Sequence, residues 1–421
     1  MRRLVAISAV LAAAVVLVAC TGDVAPGAQP SPDRPVEVVT WWAAGSEKRG
    51  LDALVGVFDE QHPEHSFEGG AVAGGAGTAA KRQLKTRLLA GDPPDTFQAH
   101  AGAELTDYIT AGQLEDVSAL YDDFGLRRAF PTDLIRLLQV DGKIYSVPAG
   151  IHRSNMVWAN PGVLAAAGVD PNATYGSIAA WFPALDAVRA SGRTALAVGT
   201  TWTQVNLLET VLMADLGAER YEGLWTGTTD WSGREVTAAL ADFQTLMSYA
   251  PADRDDLDWP DTTQQVIDGA AGFTVMGDWA VAAFEEHGEV PGVDFSYFPV
   301  PGTVGIFGFL ADSFTLPMGA KNRAGAAAWL DTVGSVEGQT AFNRAKGSIP
   351  ARSDADPADF SSYQQSSIRA FGRDRIVPSL THGAATSNAV LEAITAATAT
   401  FTAGGSDLAT YQAALADAAT P

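Results

Sequence analysis

The sequence predicts an α/β protein whose core is an open, largely parallel sheet. Three observations carry this expectation. Short β-branched runs alternate with segments whose apolar residues recur at i, i+3, i+4 and i+7. Hydrophobic residues make up 47% of the chain and charged residues 18%, apolar enough for a packed core and not the composition of a disordered chain. The length of 421 residues exceeds one small domain and suits two lobes or one large α/β body.

The alternation begins at residues 36–42 (VEVVTWW), strand-like and β-branched, followed by a helix over 47–61 with Leu51, Leu54, Val55 and Phe58 on one face. Residues 66–72 read as strand and 79–90 as helix. After the turn Gly91-Asp92-Pro93-Pro94 comes a short strand over 96–99. Helices follow around 103–111 and 130–139. A second α/β series starts after Ser146-Val147-Pro148: strand 155–158, helix 178–190, strand 195–199 and helix 204–216. Helices over 234–249 and 262–269 precede strand 272–276. Residues 295–298 and 312–316 are strands, 323–344 is helical, and the Ala-rich segments 387–402 and 408–419 close the chain as helices. In such an order ligands are expected at the carboxyl ends of strands.

The N-terminus reads differently. Met1-Arg2-Arg3 is a short positive start, and the apolar run 4–18 has signal-peptide length, short of the about 20 residues a spanning helix needs. It ends in Leu17-Val18-Ala19-Cys20, which looks like a bacterial lipobox, with Cys20 the lipidated first residue of the mature chain. Cys20 is the single cysteine, so no disulfide within the chain, Cys-based zinc site or redox pair is available. Residues 21–35, rich in proline and without apolar periodicity, read as a tether. No other stretch is apolar enough to cross a membrane, which places the protein outside the cytoplasmic membrane, held to it by acyl chains.

Charge and motifs exclude several functions. Asp and Glu number 49 against 27 Lys and Arg, a net charge of −22 that a phosphate backbone or an anionic membrane surface would repel. The Gly-rich stretch 69–77 lacks the Gly-Lys-Ser/Thr ending of a phosphate loop and reads as a plain loop. G-x-S-x-G and H-E-x-x-H are absent, and of six histidines only His62 and His65 are close in sequence, on a loop around Pro63 that suits surface better than metal. No metal or cofactor is expected. Forty-nine acids always permit a glycosidase-like carboxylate pair, so a glycan hydrolase remains a rival reading, although nothing positively argues for it.

Ten tryptophans are many, and several sit at strand ends. Adjacent strand residues point to opposite faces, so at most one of Trp41 and Trp42 is simple core. Trp259 follows an acidic loop, and Trp279 comes just after Gly277-Asp278 at a strand end. An indole face suits the axial C–H bonds of a sugar ring, and each stack adds about 0.5–1.5 kcal/mol beyond burial. With hydrogen bonds to charged groups at about 1.5–3 kcal/mol each, a few of both supply the roughly 8 kcal/mol of micromolar binding.

These residues also carry a resemblance. The lipobox, VTWWAAGSE, GDPPDTFQAHAG (91–102), GKIYSVPAGIHRSNMVWAN (142–160), FTVMGDWA (273–280), ADSFTLPMGAKN (311–322) and AKGSIPAR (345–352) together resemble the extracytoplasmic sugar-binding proteins of ABC importers, more narrowly the glucose/mannose-binding branch. The similarity runs from about Val36 to the segment around His382. It implies a two-lobe, periplasmic-binding-protein-like fold with a ligand cleft between lobes and crossing hinge strands. The implied division is signal peptide 1–19, lipid-anchored tether 20–35, an N-terminal lobe of 36–148 plus 312–350, and a C-terminal lobe of 149–311 plus 351–421. Carried over by position, Trp41 and Trp42 would line the cleft and Glu47 would accept from hydroxyls. Gln98 and His100 would add polar contacts, and Trp259 and Trp279 would be stacking platforms of the other lobe. Asp312 would accept near the hinge, Lys346 and His382 would donate, and Lys85 is an extra donor. His152 and Asp278 would be hinge or supporting residues.

The function implied is that of a non-catalytic, monomeric receptor: one monosaccharide (glucose, mannose or galactose) captured by closing lobes and delivered to an ABC permease. A disaccharide receptor of the same fold is the alternative within the class, and a hydrolase using Glu47 and Asp312 the alternative outside it. The mixture of carboxylates, amide, lysine and histidines suits a neutral hexose, whose hydroxyls donate and accept, better than an anionic phosphate ligand.

Overall fold

The computed structural model describes residues 34–72 and 77–419. The leader, Cys20 and the tether up to Asp33 lie outside the described residues, as do residues 73–76 of the Gly-rich stretch. Among the described residues the strands are β1 (Val36–Thr40), β2 (Phe67–Ala71), β3 (Thr96–His100), β4 (Gln139–Val140), β5 (Lys143–Ile144), β6 (Ser146–Arg153), β7 (Met156–Ala159), β8 (Thr194–Ala197), β9 (Ala271–Val275), β10 (Ser296–Pro299), β11 (Ile306–Thr315) and β12 (Arg375–Pro378).

They form two main sheets. The first has six strands in the order β12-β11-β3-β1-β2, with β6 also on β11; the second has the order β10-β7-β9-β8. β4 and β5 make a separate small hairpin. Each sheet carries its own apolar core. Val36, Val38, Phe58, Phe314 and Trp329 pack around the first, and Val157, Trp181, Leu185, Leu212 and Phe273 around the second. β3, β6, β7, β9 and β11 are buried along their whole length, as expected where both faces of a sheet are covered.

Two separate cores make two lobes, and three stretches of chain join them. β12 of the first sheet leads through residues 379–387 into the helix Asn388–Thr402, whose Ile394 and Phe401 pack in the second core, so the C-terminal segment expected wholly in the second lobe is divided between the two. β6 of the first sheet runs through Ser154-Asn155 into β7 of the second, and β10 returns through residues 300–305 into β11. Asn155 staples these last two crossings together. Its Nδ2 donates to Thr303 Oγ1 (2.8 Å) and Ile306 O (3.0 Å), and its Oδ1 accepts from Gly308 N (3.0 Å) and Arg153 Nε (3.1 Å). The crossing strands explain why the sheets are mixed rather than largely parallel. β1 pairs parallel with β2 and β3, but β11 enters from the other lobe and runs antiparallel to β3 and β6.

Other differences from the sequence reading are local. The expected helix 323–344 is two helices, Arg323–Gly334 and Val336–Lys346. Ser335 adopts an extended conformation between them, and its hydroxyl caps the second by accepting from Gly338 N at 2.9 Å. The helix expected at 204–216 spans Thr201–Thr226, with a kink at Gly217 (φ 73°). β11 begins six residues before position 312, and β12 and the helix Ser362–Phe371 were not anticipated.

Candidate ligand-binding site

Trp41 and Trp42 divide as strand geometry requires. Trp42 is fully buried, its ring 4.6 Å from Phe342 and 5.5 Å from Phe314, so it is core and does not line a cleft. Trp41 turns the other way and lines a cavity of about 330 Å³. Gly77, at φ 86°, lies flat on the indole: a Cβ there would sit 2.7 Å from the ring. From the second lobe, Trp279 reaches the same cavity from the 3-10 turn after β9, and a Cβ on Gly277 would fall 2.1 Å from its ring. Both rings are therefore packed against glycine backbone that no larger residue could replace without moving them.

Between the two indoles lies a cluster of charged and polar side chains centred on Asp312 of β11. Asp312 Oδ1 accepts from Gln98 Nε2 (3.0 Å), with His100 Nε2 at 3.6 Å. Oδ2 faces His152 Nε2 (3.2 Å) and Lys346 Nζ (3.6 Å). Burial would raise the Asp312 carboxyl, but Lys346, His152 and His100 hold it far below the ordinary carboxylate range. Lys346 also reaches Glu47 Oε1 (3.3 Å) and sits 5.5 Å from the Trp42 ring and 5.9 Å from the Trp279 ring. Burial, with Asp312 adding, lifts Glu47 above its ordinary value against the pull of Lys346.

His152, on the crossing strand β6, is clamped between carboxylates from two elements: Nδ1 is 2.5 Å from Asp278 Oδ1, and Nε2 faces Asp312. Burial opposes the imidazolium, but Asp278 overrides it and the pKa of His152 is raised. Asp278 is held in turn by the Arg153 N–H at 3.0 Å. His382 completes the cluster with its ring 5.2 Å from Trp279 and 5.4 Å from His100. Burial, with His100 beside it, holds His382 well below its ordinary value, so its ring is neutral.

The structure thus gathers Trp41, Glu47, His152, Trp259, Trp279, Asp312, Lys346 and His382 around one cavity. Gln98 and His100 stand behind it. Gln98 is locked by accepting from Thr40 Oγ1 (2.5 Å) and Trp41 N (3.3 Å) while it donates to Asp312. The His100 ring lies 5.0 Å from that of Trp41, tilted at 46°, and hydrogen-bonds Glu104, which Lys81 pairs at 2.8 Å. Lys85 is a correction: it is exposed on the helix Thr78–Leu89, outside the cavity lining. The lysine of that helix that turns inward is Lys81, 5.4 Å over the Trp41 ring and one turn earlier.

Sequence reasoning missed Trp202, Asp258, Gln264, Glu286 and His287 in the lining. Trp202 follows β8 and its indole N–H donates to Asp258 Oδ1 at 2.6 Å; Asp258 also caps the helix Trp259–Ile267. A signal for Trp202 existed, since it stands just beyond the carboxyl end of a strand. His62 and His65 lie away from the cavity, beside Glu64, and no group able to hold a metal occurs among the described residues.

The family of bacterial extracellular solute-binding proteins matches residues 44–340. The chain belongs to that family. An uncharacterized ABC transporter extracellular-binding protein of Pyrococcus horikoshii is 32% identical over 360 residues, 85% of this chain and 81% of the relative. A probable sugar-binding periplasmic protein of Rhizobium meliloti is 30% identical over 374 residues, 86% of this chain and 88% of the relative. Among solved structures, a chitin oligosaccharide binding protein superposes with a TM-score of 0.79 at 20% identity, covering 91% of this chain and 98% of that one. That likeness gives the solute-binding protein its two-lobe fold. Among the described residues no helix is long and apolar enough to cross a membrane.

Proposed function

We propose that this solute-binding protein captures one hexose (glucose, mannose or galactose) between its lobes and delivers it to an ABC permease, held at the outer face of the cytoplasmic membrane by a lipid on Cys20. The observation that carries the reading is the pairing of Trp41 from one lobe with Trp279 from the other around Asp312, Lys346 and His382. Two indole faces suit the two faces of a pyranose, and the groups between them both accept from and donate to hydroxyls. Neither lobe holds the whole set, so bound sugar favours the closed form by its differential affinity. The glucose/mannose preference rests on the motif resemblance, and a sugar ligand and an ABC transporter agree in general terms with the names of the relatives.

A second reading is a disaccharide receptor. The cavity continues to the exposed rim residues Pro260, Glu286 and His287, towards which a second ring would extend. A thermal-shift panel of mono- and disaccharides separates the two, because a ligand selective for the native state raises the melting temperature by mass action. Labelled hexose retained one per chain and recovered unchanged supports the receptor. Any chemical conversion of it supports the hydrolase, and no shift with any sugar overturns the proposal.

A further inference from the structure

Behind the cavity lies a buried acid that the sugar reading leaves unused. Glu209, in the first half of the helix Thr201–Thr226, is fully buried. Its carboxylate takes the Ser379 hydroxyl (Oγ at 3.0 and 2.9 Å from the two oxygens) and the Thr381 N–H (2.8 Å). Ser379 Oγ lies 2.9 Å from His382 Nδ1 as well. Burial lifts the Glu209 carboxyl above its ordinary value, while the Thr381 N–H and the Ser379 hydroxyl pull it back down. In its ionised form the carboxylate only accepts, and a serine hydroxyl has one proton. With Glu209 ionised, the proton points at Glu209, the oxygen lone pair faces the imidazole, and Nδ1 carries the ring proton. The neutral ring is then left with a bare Nε2. Trp279, His100 and Trp202, with ring centroids 5.2, 5.4 and 6.3 Å away and all near edge-on, hold the imidazole in place.

We propose that Glu209, held ionised by its donors, and Ser379 are positioning residues that lock His382 as its Nδ1–H tautomer, so that Nε2 meets the ligand as an acceptor. His382 then selects a group that donates, such as a hydroxyl, over an ether, carboxylate or phosphate oxygen that only accepts. This reverses the donor role that the family resemblance implies for His382. The ligand half of the inference rests on the sugar reading; the tautomer does not, because it is set by the protein alone.

The test is ¹⁵N spectroscopy of the histidine-labelled protein near neutral pH, first unliganded and then with D-glucose, D-galactose and D-mannose. The expected spectrum shows a protonated Nδ1 and a bare Nε2 on His382, with the Nε2 resonance moving when a sugar binds. Ser379→Ala mixes the tautomers and weakens that sugar about tenfold, the loss of one hydrogen bond. Glu209→Gln, whose amide can donate to Ser379, turns the hydroxyl toward Nδ1 and shifts the ring toward Nε2–H. An Nε2–H ring in the unmodified protein overturns the proposal, and so does a tautomer unchanged in both variants. If Ser379→Ala does not fold, the unmodified spectrum and Glu209→Gln still decide. A bare Nε2 with no response to any sugar refutes the sugar reading and leaves the relay standing.

Discussion

Replacing Asp312 with asparagine changes one oxygen to an amide in a site built around a full negative charge. Four donors surround the carboxylate: Gln98 Nε2 at 3.0 Å, His152 Nε2 at 3.2 Å, and His100 Nε2 and Lys346 Nζ at 3.6 Å. The new NH₂ must face one side. On the Oδ1 side it meets Gln98, which cannot turn over without giving up its bonds from Thr40 Oγ1 and Trp41 N. The NH₂ therefore turns to the Oδ2 side, where His152 loses an acceptor and buried Lys346 keeps only Glu47. Removing one partner of a buried charge cluster costs about 3–5 kcal/mol. Urea unfolding at neutral pH should show that loss as a lower midpoint with an unchanged slope. The sign with pH follows from the depressed carboxyl. Its stabilisation is present above the unfolded aspartate value of about 3.9 and fades as pH falls below it, so the gap between Asp312→Asn and the parent should narrow in acid. A loss under about 1 kcal/mol at neutral pH, or a gap that widens in acid, would refute the reasoning.

Two further outcomes follow from the same geometry, and a third from the lipid proposed on Cys20. Trp279→Ala should weaken hexose binding at least tenfold by calorimetry, since it removes a stacking face worth about 0.5–1.5 kcal/mol beyond its buried area. Lys85→Ala should leave affinity unchanged, because the side chain is exposed and off the cavity, whereas Lys81→Ala should weaken it by removing the cation that pairs Glu104 behind His100. Cys20→Ala should move the protein from the membrane to the soluble fraction without altering sugar affinity, measured by fractionation and titration of the released protein.

How much of this was legible in the sequence depended on the range of the interaction. Periodicity located the helix Gly45–Gln61, where Leu51, Leu54 and Phe58 are buried, because the signal sits within a few turns. Alternation alone required Trp41 and Trp42 to part, but not which of them would meet the cavity; that is set by Phe314 and Phe342 on the far side of the sheet. The same limit explains Lys85. Helical spacing makes Lys81 and Lys85 near neighbours on one surface, and only the placement of Glu104 selects Lys81. β11 began earlier than expected because Ile306–Phe309 belongs to a crossing strand whose partner β12 lies far along the chain. Glu209 and Ser379 could not be paired at all: 170 positions separate them, and neither falls in a motif.

The most direct test is a crystal structure of the protein grown with whichever hexose most raises its melting temperature. The expected result is one pyranose ring between Trp41 and Trp279, with its hydroxyls on Asp312, Lys346 and His382. A sugar bound elsewhere on the molecule, or a cavity still without sugar at saturating concentration, would contradict it.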